Sequence, residues 1–415
     1  GLGYVGLPLC YEVAKSKIQV IGFDIDQEKI NKINKGESYI KDVASNCILE
    51  VVQESLLKAT SDFSQLKEVD VISICVPTPL TKTKDPDMSY IEKAVESIKP
   101  NLRKGQIIIL ESTTYPGTTE EVILPILEST GLKVGADFFL AFSPERVDPG
   151  NEKYQTKNTP KVLGGVTTIC SEIGKLVYEM AIDKIIIVSS PRSAEMVKLL
   201  ENTFRAVNIA MANEMVLMCS KLGIDVWEVI NAAATKPFGF MPFYPGPGLG
   251  GHCIPVDPHY LSWKLKTLKY DAKFIGLAGE INGYMPHYIA DKTIQLLNEN
   301  KKCLNGANIL ITGIAYKKNI NDLRESPALD IMLNLKEMGA NVSYHDDYFP
   351  SFKLKNEELT SKPLTPETLK ASDCVIIITD HDYLDLEMIV EYSSLIFDTR
   401  NTIKQHKNAK NVKRL

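Results

Sequence analysis

The chain has 415 residues, more than one ordinary hydrophobic core organises, so two or three domains are expected. Apolar residues make up 44% and charged residues 24%, and the net charge is −5, so there is no basic field to attract nucleic acid. No apolar run reaches the about 20 residues of a membrane span, which points to no membrane partner.

The first motif is "GLGYVGLPL". Gly1, Gly3 and Gly6, with Tyr4 and Val5 between them, form G-x-G-x-x-G ahead of a helical run and the strand "IQVIGFD". Such glycines permit a tight turn and close approach of a pyrophosphate to a helix N-terminus. Asp24 closes the strand, where a carboxylate accepts from ribose hydroxyls and repels a 2′-phosphate, favouring NAD over NADP. Lys29 lies near enough in sequence to meet a phosphate. The chain opens inside this motif, so a first strand is expected upstream of Gly1.

"VDVISICVP", "GQIIILEST", "FFLAFSPER" and "KIIIVSS" read as further buried parallel strands, with helices such as "MSYIEKAVESIKPNL" between them. This predicts an α/β domain over residues 1–190. Residues 191–300 read as a helical middle domain. It opens on a long helix with a cap near Ser193 and a stop at Gly223, and contains a Pro/Gly-rich loop at 237–258. From 301 to 415 the alternation resumes. "NILITGIAY", "ANVSYHDD", "DCVIIITD" and "SLIFDTR" are strands, and a helix is capped by Ser326, opened by Pro327 and stopped by Gly339. The predicted fold class is α/β: two Rossmann-like doubly wound domains joined by a helical middle domain with a long central helix.

The eight cysteines include no C-x-x-C pair, a reduced-compartment pattern that places the chain in the cytoplasm. The six histidines form no H-x-x-x-H set, so no metal site is expected. Most cysteines sit in helix or strand patterns and read as core. Cys253 differs, because it lies in "PGPGLGGHCIPVDPHYL". Gly250 and Gly251 leave room beside the sulfur, Pro255 and Pro258 stiffen the segment, His252 precedes the thiol, and Asp257 follows where it can orient a water or a base. On the long helix Lys198, Asn202 and Arg205 share one face among apolar neighbours. That stripe reads equally as a solvated face or as the lining of a cleft.

"GLGYVGLPL", "SICVPTPL", "ESTTYPGTT", "FSPERVDPGN", "AEMVKLLENTFRAVNIAMANE", "GPGLGGHCIPVDP" and "GIAYKKNINDLRESPA" occur here in that order. In this the chain resembles the UDP-glucose/GDP-mannose dehydrogenase family from end to end. The resemblance implies an NAD-binding domain, a helical middle domain carrying a dimer interface, and a C-terminal nucleotide-sugar domain. It implies oxidation of a sugar C6 alcohol to a carboxylate in two hydride transfers, with NAD as cofactor, a UDP-sugar as substrate, and a homodimer or multiple of dimers.

By resemblance Cys253 is the nucleophile that carries a thiohemiacetal and then a thioester. Lys198 and Asn202 stabilise the oxyanion, Asp257 moves protons through a water held by Thr113, and Glu145 is the base in hydrolysis. Val76, Pro77, Thr78 and Thr113 line the NAD cleft, and Arg324 reaches the NAD phosphates. Tyr316, Lys317 and Arg400 meet the nucleotide sugar, and Glu145, Arg146, Tyr244 and Gly250 are assigned with them. The loop reads C-I-P-V-D where UDP-glucose enzymes read C-F-P-K-D. It is similar to the branch acting on UDP-N-acetylhexosamines in surface-polysaccharide synthesis, most of all to the UDP-N-acetylglucosamine form. UDP-glucose, UDP-N-acetylgalactosamine and UDP-N-acetylmannosamine remain open as substrates, and an NAD-retaining UDP-sugar epimerase is the alternative of another class.

Overall fold

The computed structural model describes residues 1–415 apart from 41–42, 82–84, 149–150, 152, 252 and 407–408. His252 and positions 149–150 of "FSPERVDPGN" therefore lie outside the described residues. The backbone divides into two compact units, Gly1–Glu201 with His259–Asp271, and Asn202–Pro258 with Ala272–Leu415. Two helices, Pro191–Leu222 and Asp257–Thr267, contribute residues to both.

Among the described residues of the first unit, β1 (Val20–Phe23) pairs in parallel with β2 (Leu57–Thr60). A five-stranded sheet takes the order β3 (Val71–Ile74), β4 (Ile107–Leu110), β5 (Phe139–Phe142), β6 (Lys161–Gly165), β7 (Ile185–Ile187). The run Ile-Ile-Ile-Leu makes β4 the centre because both its faces are apolar. Ile108 and Leu110 pack with Ile91 and Val95 of the helix Ser89–Ile98, while Ile107 and Ile109 pack with Leu9 and Tyr178. Each such buried side chain is worth about 2 kcal/mol.

Two expectations are corrected here. "KIIIVSS" is no buried strand, since β7 is the sheet's edge and Ile186 and Ile187 are exposed. The sheet is not all parallel, because β6, a stretch with two glycines that reads poorly as a strand, runs antiparallel to β5. The long helix starts at Pro191, ahead of the expected cap at Ser193, using a proline where the missing N–H is harmless. It stops before Gly223 at φ +69°, a conformation that suits glycine.

In the second unit the described strands are β8 (Asn308–Thr312), β9 (Asn341–His345), β10 (Ser351–Leu354), β11 (Glu357–Thr360), β12 (Cys374–Ile377), β13 (Ile396–Asp398) and β14 (Val412–Arg414). β10 and β11 form an antiparallel hairpin, and the others form a parallel sheet in the order β14-β13-β12-β8-β9. β12 repeats the logic of β4. Cys374 and Ile376 face one apolar layer with Ile331 and Leu335 of the helix Pro327–Glu337, and Val375 and Ile377 face another with Leu369 and Ile389. Ile289, Leu296 and Leu297 of the helix Lys273–Glu299 pack into the first of these layers. Ser326 caps its helix by accepting from Ala328 N–H, as expected. Among the described residues no helix is long and apolar enough to cross a membrane.

Candidate functional site

In the first unit the glycine turn lies between the carboxyl ends of β1 and β3. A Cβ on Gly1 would collide with the Cys75 carbonyl, and one on Gly6 with the Gly1 carbonyl, so both must be glycine, whereas Gly3 faces open space. The helix Gly6–Lys15 begins without a side-chain cap; its Leu7 N–H donates to the Gly3 carbonyl at 3.1 Å, and the positive end of its dipole faces the turn. Asp24 ties the turn to β1 by accepting from Leu2 N–H at 2.8 Å and Asp26 N–H at 2.9 Å. Burial would raise the Asp24 carboxyl, but these donors and Lys29 outweigh it and hold it below its usual range. It stays anionic with lone pairs left for hydroxyl donors. Tyr4 is exposed at the turn, and Lys29 stands 3.8 Å from Asp26. This arrangement fits NAD.

The loop after β3 carries Val76, Pro77 and Thr78. Ser112, which sequence reasoning passed over, fixes it by accepting from Val76 N–H at 2.9 Å and donating to the Val76 carbonyl. The loop after β4 carries Thr113 and is pinned by Glu195 of the long helix. This wholly buried carboxylate accepts from Gly117 N–H at 2.6 Å, Thr119 N–H at 2.9 Å and the Thr119 hydroxyl at 2.7 Å. Burial pushes the Glu195 carboxyl up despite those bonds. Beside Thr113, Glu111 takes Lys161 at 2.6 Å and the Tyr178 hydroxyl in a buried cluster.

Lys198 and Glu145 are brought together. The lysine, 8% exposed, donates to the Glu145 backbone carbonyl at 2.6 Å and has no carboxylate partner among the described residues. The Glu145 carboxylate itself accepts from Arg146 and Val147 N–H groups. The Arg146 guanidinium forks onto Glu201, with Nη2 at 2.6 Å, and donates to the Pro160 carbonyl.

In the second unit the Cys253 carbonyl accepts from Val256 N–H at 3.1 Å and Asp257 N–H at 2.8 Å, so the thiol residue sits at the amino end of the helix Asp257–Thr267. Asp257 opens that helix rather than ending the loop, and its buried carboxylate accepts from Asn202 Nδ2. Gly250 and Gly251 are needed for contact: a Cβ on Gly250 would lie 2.5 Å from the Tyr316 Cβ, and one on Gly251 2.9 Å from its ring. Gly251 N–H donates to the Arg324 carbonyl at 2.9 Å, while the Arg324 guanidinium forks onto Asp322. Lys317 follows Tyr316 in the same loop. Tyr244 is half-exposed, stacks on Trp227 and donates to Asn231 at 3.3 Å.

Arg400 follows β13 and lies against Gly246, donating through Nε to the Ile378 carbonyl at 2.9 Å. Burial pulls its pKa down against the pull of Asp380 and Asp398, and it forms no ion pair among the described residues. Among the described residues no three His, Cys, Asp or Glu side chains could hold a metal.

A second support for the thiol loop escaped the sequence reading. Asn213 on the long helix accepts from Gly246 N–H at 2.9 Å and donates to Asn282 Oδ1 at 2.9 Å, and Asn282 donates to the Ala206 carbonyl at 3.1 Å. Replacing Asn213 by alanine orphans Gly246 N–H and Asn282 Oδ1. The expected loss is about 2 kcal/mol of stability, read from the urea midpoint, and an unchanged midpoint would remove the chain of amides as a support.

Residues 1–182 match the NAD binding domain of the UDP-glucose/GDP-mannose dehydrogenase family, 192–284 its central domain and 310–405 its UDP binding domain. The UDP-N-acetyl-D-glucosamine 6-dehydrogenase of Pseudomonas aeruginosa is 36% identical over 383 residues, covering 92% of this chain and 89% of that protein. The NDP-N-acetyl-D-galactosaminuronic acid dehydrogenase of Ralstonia solanacearum is 34% identical over 413 residues, covering 96% and 94%. Among solved structures, a UDP-D-ManNAc dehydrogenase from Pyrococcus horikoshii matches with a TM-score of 0.90 at 34% identity, covering 100% of this chain and 97% of that one.

Fold, glycine turn and sequence together define an NAD-dependent oxidoreductase of nucleotide sugars. The chain belongs to the UDP-glucose/GDP-mannose dehydrogenase family.

Proposed function

We propose that this enzyme oxidises the C6 alcohol of a UDP-N-acetylhexosamine, UDP-N-acetylglucosamine first among them, to the uronic acid. The observation that carries the reading is the seating of Cys253. It stands at a helix N-terminus, behind two glycines that nothing larger could replace, with the Asp257 carboxylate one turn on and already oriented by Asn202. A helix N-terminus favours an anion, here a nucleophilic thiolate.

NAD supplies the hydride acceptor for each of two oxidations. Lys198 holds the C6 oxygen as negative charge develops, and Asn202 shares that task. The Cys253 sulfur adds to the aldehyde carbon, giving a thiohemiacetal; loss of the remaining C6 hydrogen as hydride leaves a thioester. Water then attacks the acyl carbon, the carbon–sulfur bond breaks, and the thiolate is restored. Glu145 and Asp257 accept the protons, with Thr113 holding the water. The sum is alcohol, two NAD+ and water to carboxylate, two NADH and three protons.

Val76, Pro77, Thr78 and Arg324 serve the cofactor, and Tyr316, Lys317, Tyr244 and Arg400 the nucleotide sugar. Arg400 supports this most directly: its half-buried guanidinium makes no ion pair among the described residues, and burial lowers its pKa in spite of Asp380 and Asp398, which suits a diphosphate. Arg146, forked onto Glu201 beside the Glu145 turn, is assigned with Glu145 to the substrate. In this reading residues 1–190 bind NAD, 191–300 form the helical dimerisation domain with the loop 237–258, and 301–415 bind the nucleotide sugar.

A homodimer, or a multiple of it, is proposed from Phe204, Met211 and Met218. They recur at heptad spacing along the long helix and are all exposed. The test of function is the NADH yield with limiting UDP-GlcNAc beside UDP-GalNAc, UDP-ManNAc and UDP-glucose. Two NADH per UDP-GlcNAc and little from the others is expected. Two from another epimer moves the specificity, and one or none from every sugar overturns the thioester route.

A further inference from the structure

The loop Gly313 to Asn319 is fastened at both ends by groups outside the motifs that define the family resemblance. At its start, Asp346 Oδ2 accepts from Ile314 N–H at 2.7 Å and Ala315 N–H at 3.3 Å, and Thr379 donates to the Ala315 carbonyl at 2.6 Å. At its end, Asn319 N–H donates to His381 Nδ1 at 2.9 Å, and the Asn319 amide pairs with Asp382 through both its oxygen and its nitrogen. The two fastenings are joined, because His381 Nε2 lies 3.2 Å from Asp346 Oδ2.

With Nδ1 accepting a backbone N–H, Nε2 must carry the proton and donate it to Asp346, so the network assigns a single neutral tautomer. Asp346 Oδ1 is also occupied, by Tyr348 N–H at 2.9 Å and the Tyr383 hydroxyl at 3.4 Å. The imidazole stacks on Tyr383, with centroids 5.0 Å apart, and Tyr348 lies 5.1 Å from it.

Five donors on one wholly buried carboxylate are more than the end of a strand requires. A buried charge is costly unless it is fully hydrogen-bonded, and a short turn can be closed by backbone bonds alone. The excess of polar contacts specifies one loop conformation. Between the fastenings lie Tyr316 and Lys317, and the Tyr316 side chain is the surface on which Gly250 and Gly251 rest, two and three residues before Cys253.

We infer that Asp346 and His381 are positioning residues for the nucleotide-sugar site, holding the loop Gly313 to Asn319 so that Tyr316 and Lys317 face the nucleotide and Tyr316 backs the thiol loop. The inference rests on the proposed role of that loop in binding the UDP moiety.

The test measures the affinity of the full-length protein for UDP and for NAD separately, by calorimetry, in wild type, D346N, H381A, H381Q and H381N. The glutamine amide reaches where Nε2 stood and keeps the donor to Asp346; the asparagine amide reaches where Nδ1 stood and keeps the acceptor for Asn319. UDP affinity is expected to fall about tenfold in D346N and H381A, about 1.4 kcal/mol, with NAD affinity unchanged. H381Q and H381N should each recover part of the loss. Equal loss of UDP and NAD affinity, or no loss of either, overturns the inference. Should D346N or H381A fail to fold, the two conservative histidine variants decide it: UDP affinity at the wild-type level in both overturns it, and a selective UDP loss in either supports it. Wild-type protein that does not bind UDP at all overturns the reading of the site itself, which separates the two failures.

Discussion

Cys253→Ser is expected to halt the proposed reaction before carboxylate forms, with turnover falling by about 10³-fold or more, the scale of losing a catalytic nucleophile. A serine hydroxyl in the same seat is a far weaker nucleophile than a thiolate at neutral pH, and it cannot form the activated thioester that water opens. NADH release under single-turnover conditions and mass analysis of the sugar product check this. Sugar or aldehyde retained on the protein, without uronic acid, is the expected picture. Two NADH per sugar at a near-normal rate would eliminate the covalent route. The loop geometry makes the variant informative, because the Cys253 carbonyl bonds to Val256 and Asp257 are made by backbone and survive the substitution.

Lys198→Ala is expected to lower kcat by at least about 100-fold, the effect of losing one preorganised oxyanion donor, the role proposed for this lysine. Its ammonium has three N–H donors, one of them directed to the Glu145 carbonyl, so two remain for a developing negative oxygen. Burial fixes the group in place, and no acidic partner among the described residues neutralises it. Steady-state kinetics with saturating NAD would show the loss mainly in kcat, since the interaction strengthens as charge develops. A near-normal kcat would remove Lys198 from the catalytic set.

The parts of the site that could be read from sequence are those whose chemistry is local. The glycine turn and Asp24 are separated by one helix and one strand, and spacing alone joins them. Cys253 and Asp257 are four residues apart in a segment whose prolines and glycines announce a fixed loop. Asn213 and Asn282, Glu195 and Thr119, and Asp346 and His381 are lone polar residues far apart in sequence. Such residues most often face solvent, and only the packed chain makes each the partner of the other.

The same distinction separates the strands. β4 and β12 carry continuous apolar runs and were legible. β2, β10 and β11 are half polar, and β6 ends in two glycines, so tertiary pairing rather than local pattern makes them strands. Arg146 and its partner Glu201 are likewise far apart in sequence, so only the fold shows where that guanidinium rests.

Arg400 links this chemistry to the stability of the fold. Its guanidinium is half-buried, and burial lowers its pKa in spite of Asp380 and Asp398, so desolvation outweighs those charges in the empty fold. On the proposed reading the substrate's diphosphate completes it, so the ligand acts as a missing piece of the core. Ligand that binds only the folded chain then raises its stability by mass action, so the melting temperature is expected to rise with UDP-sugar concentration.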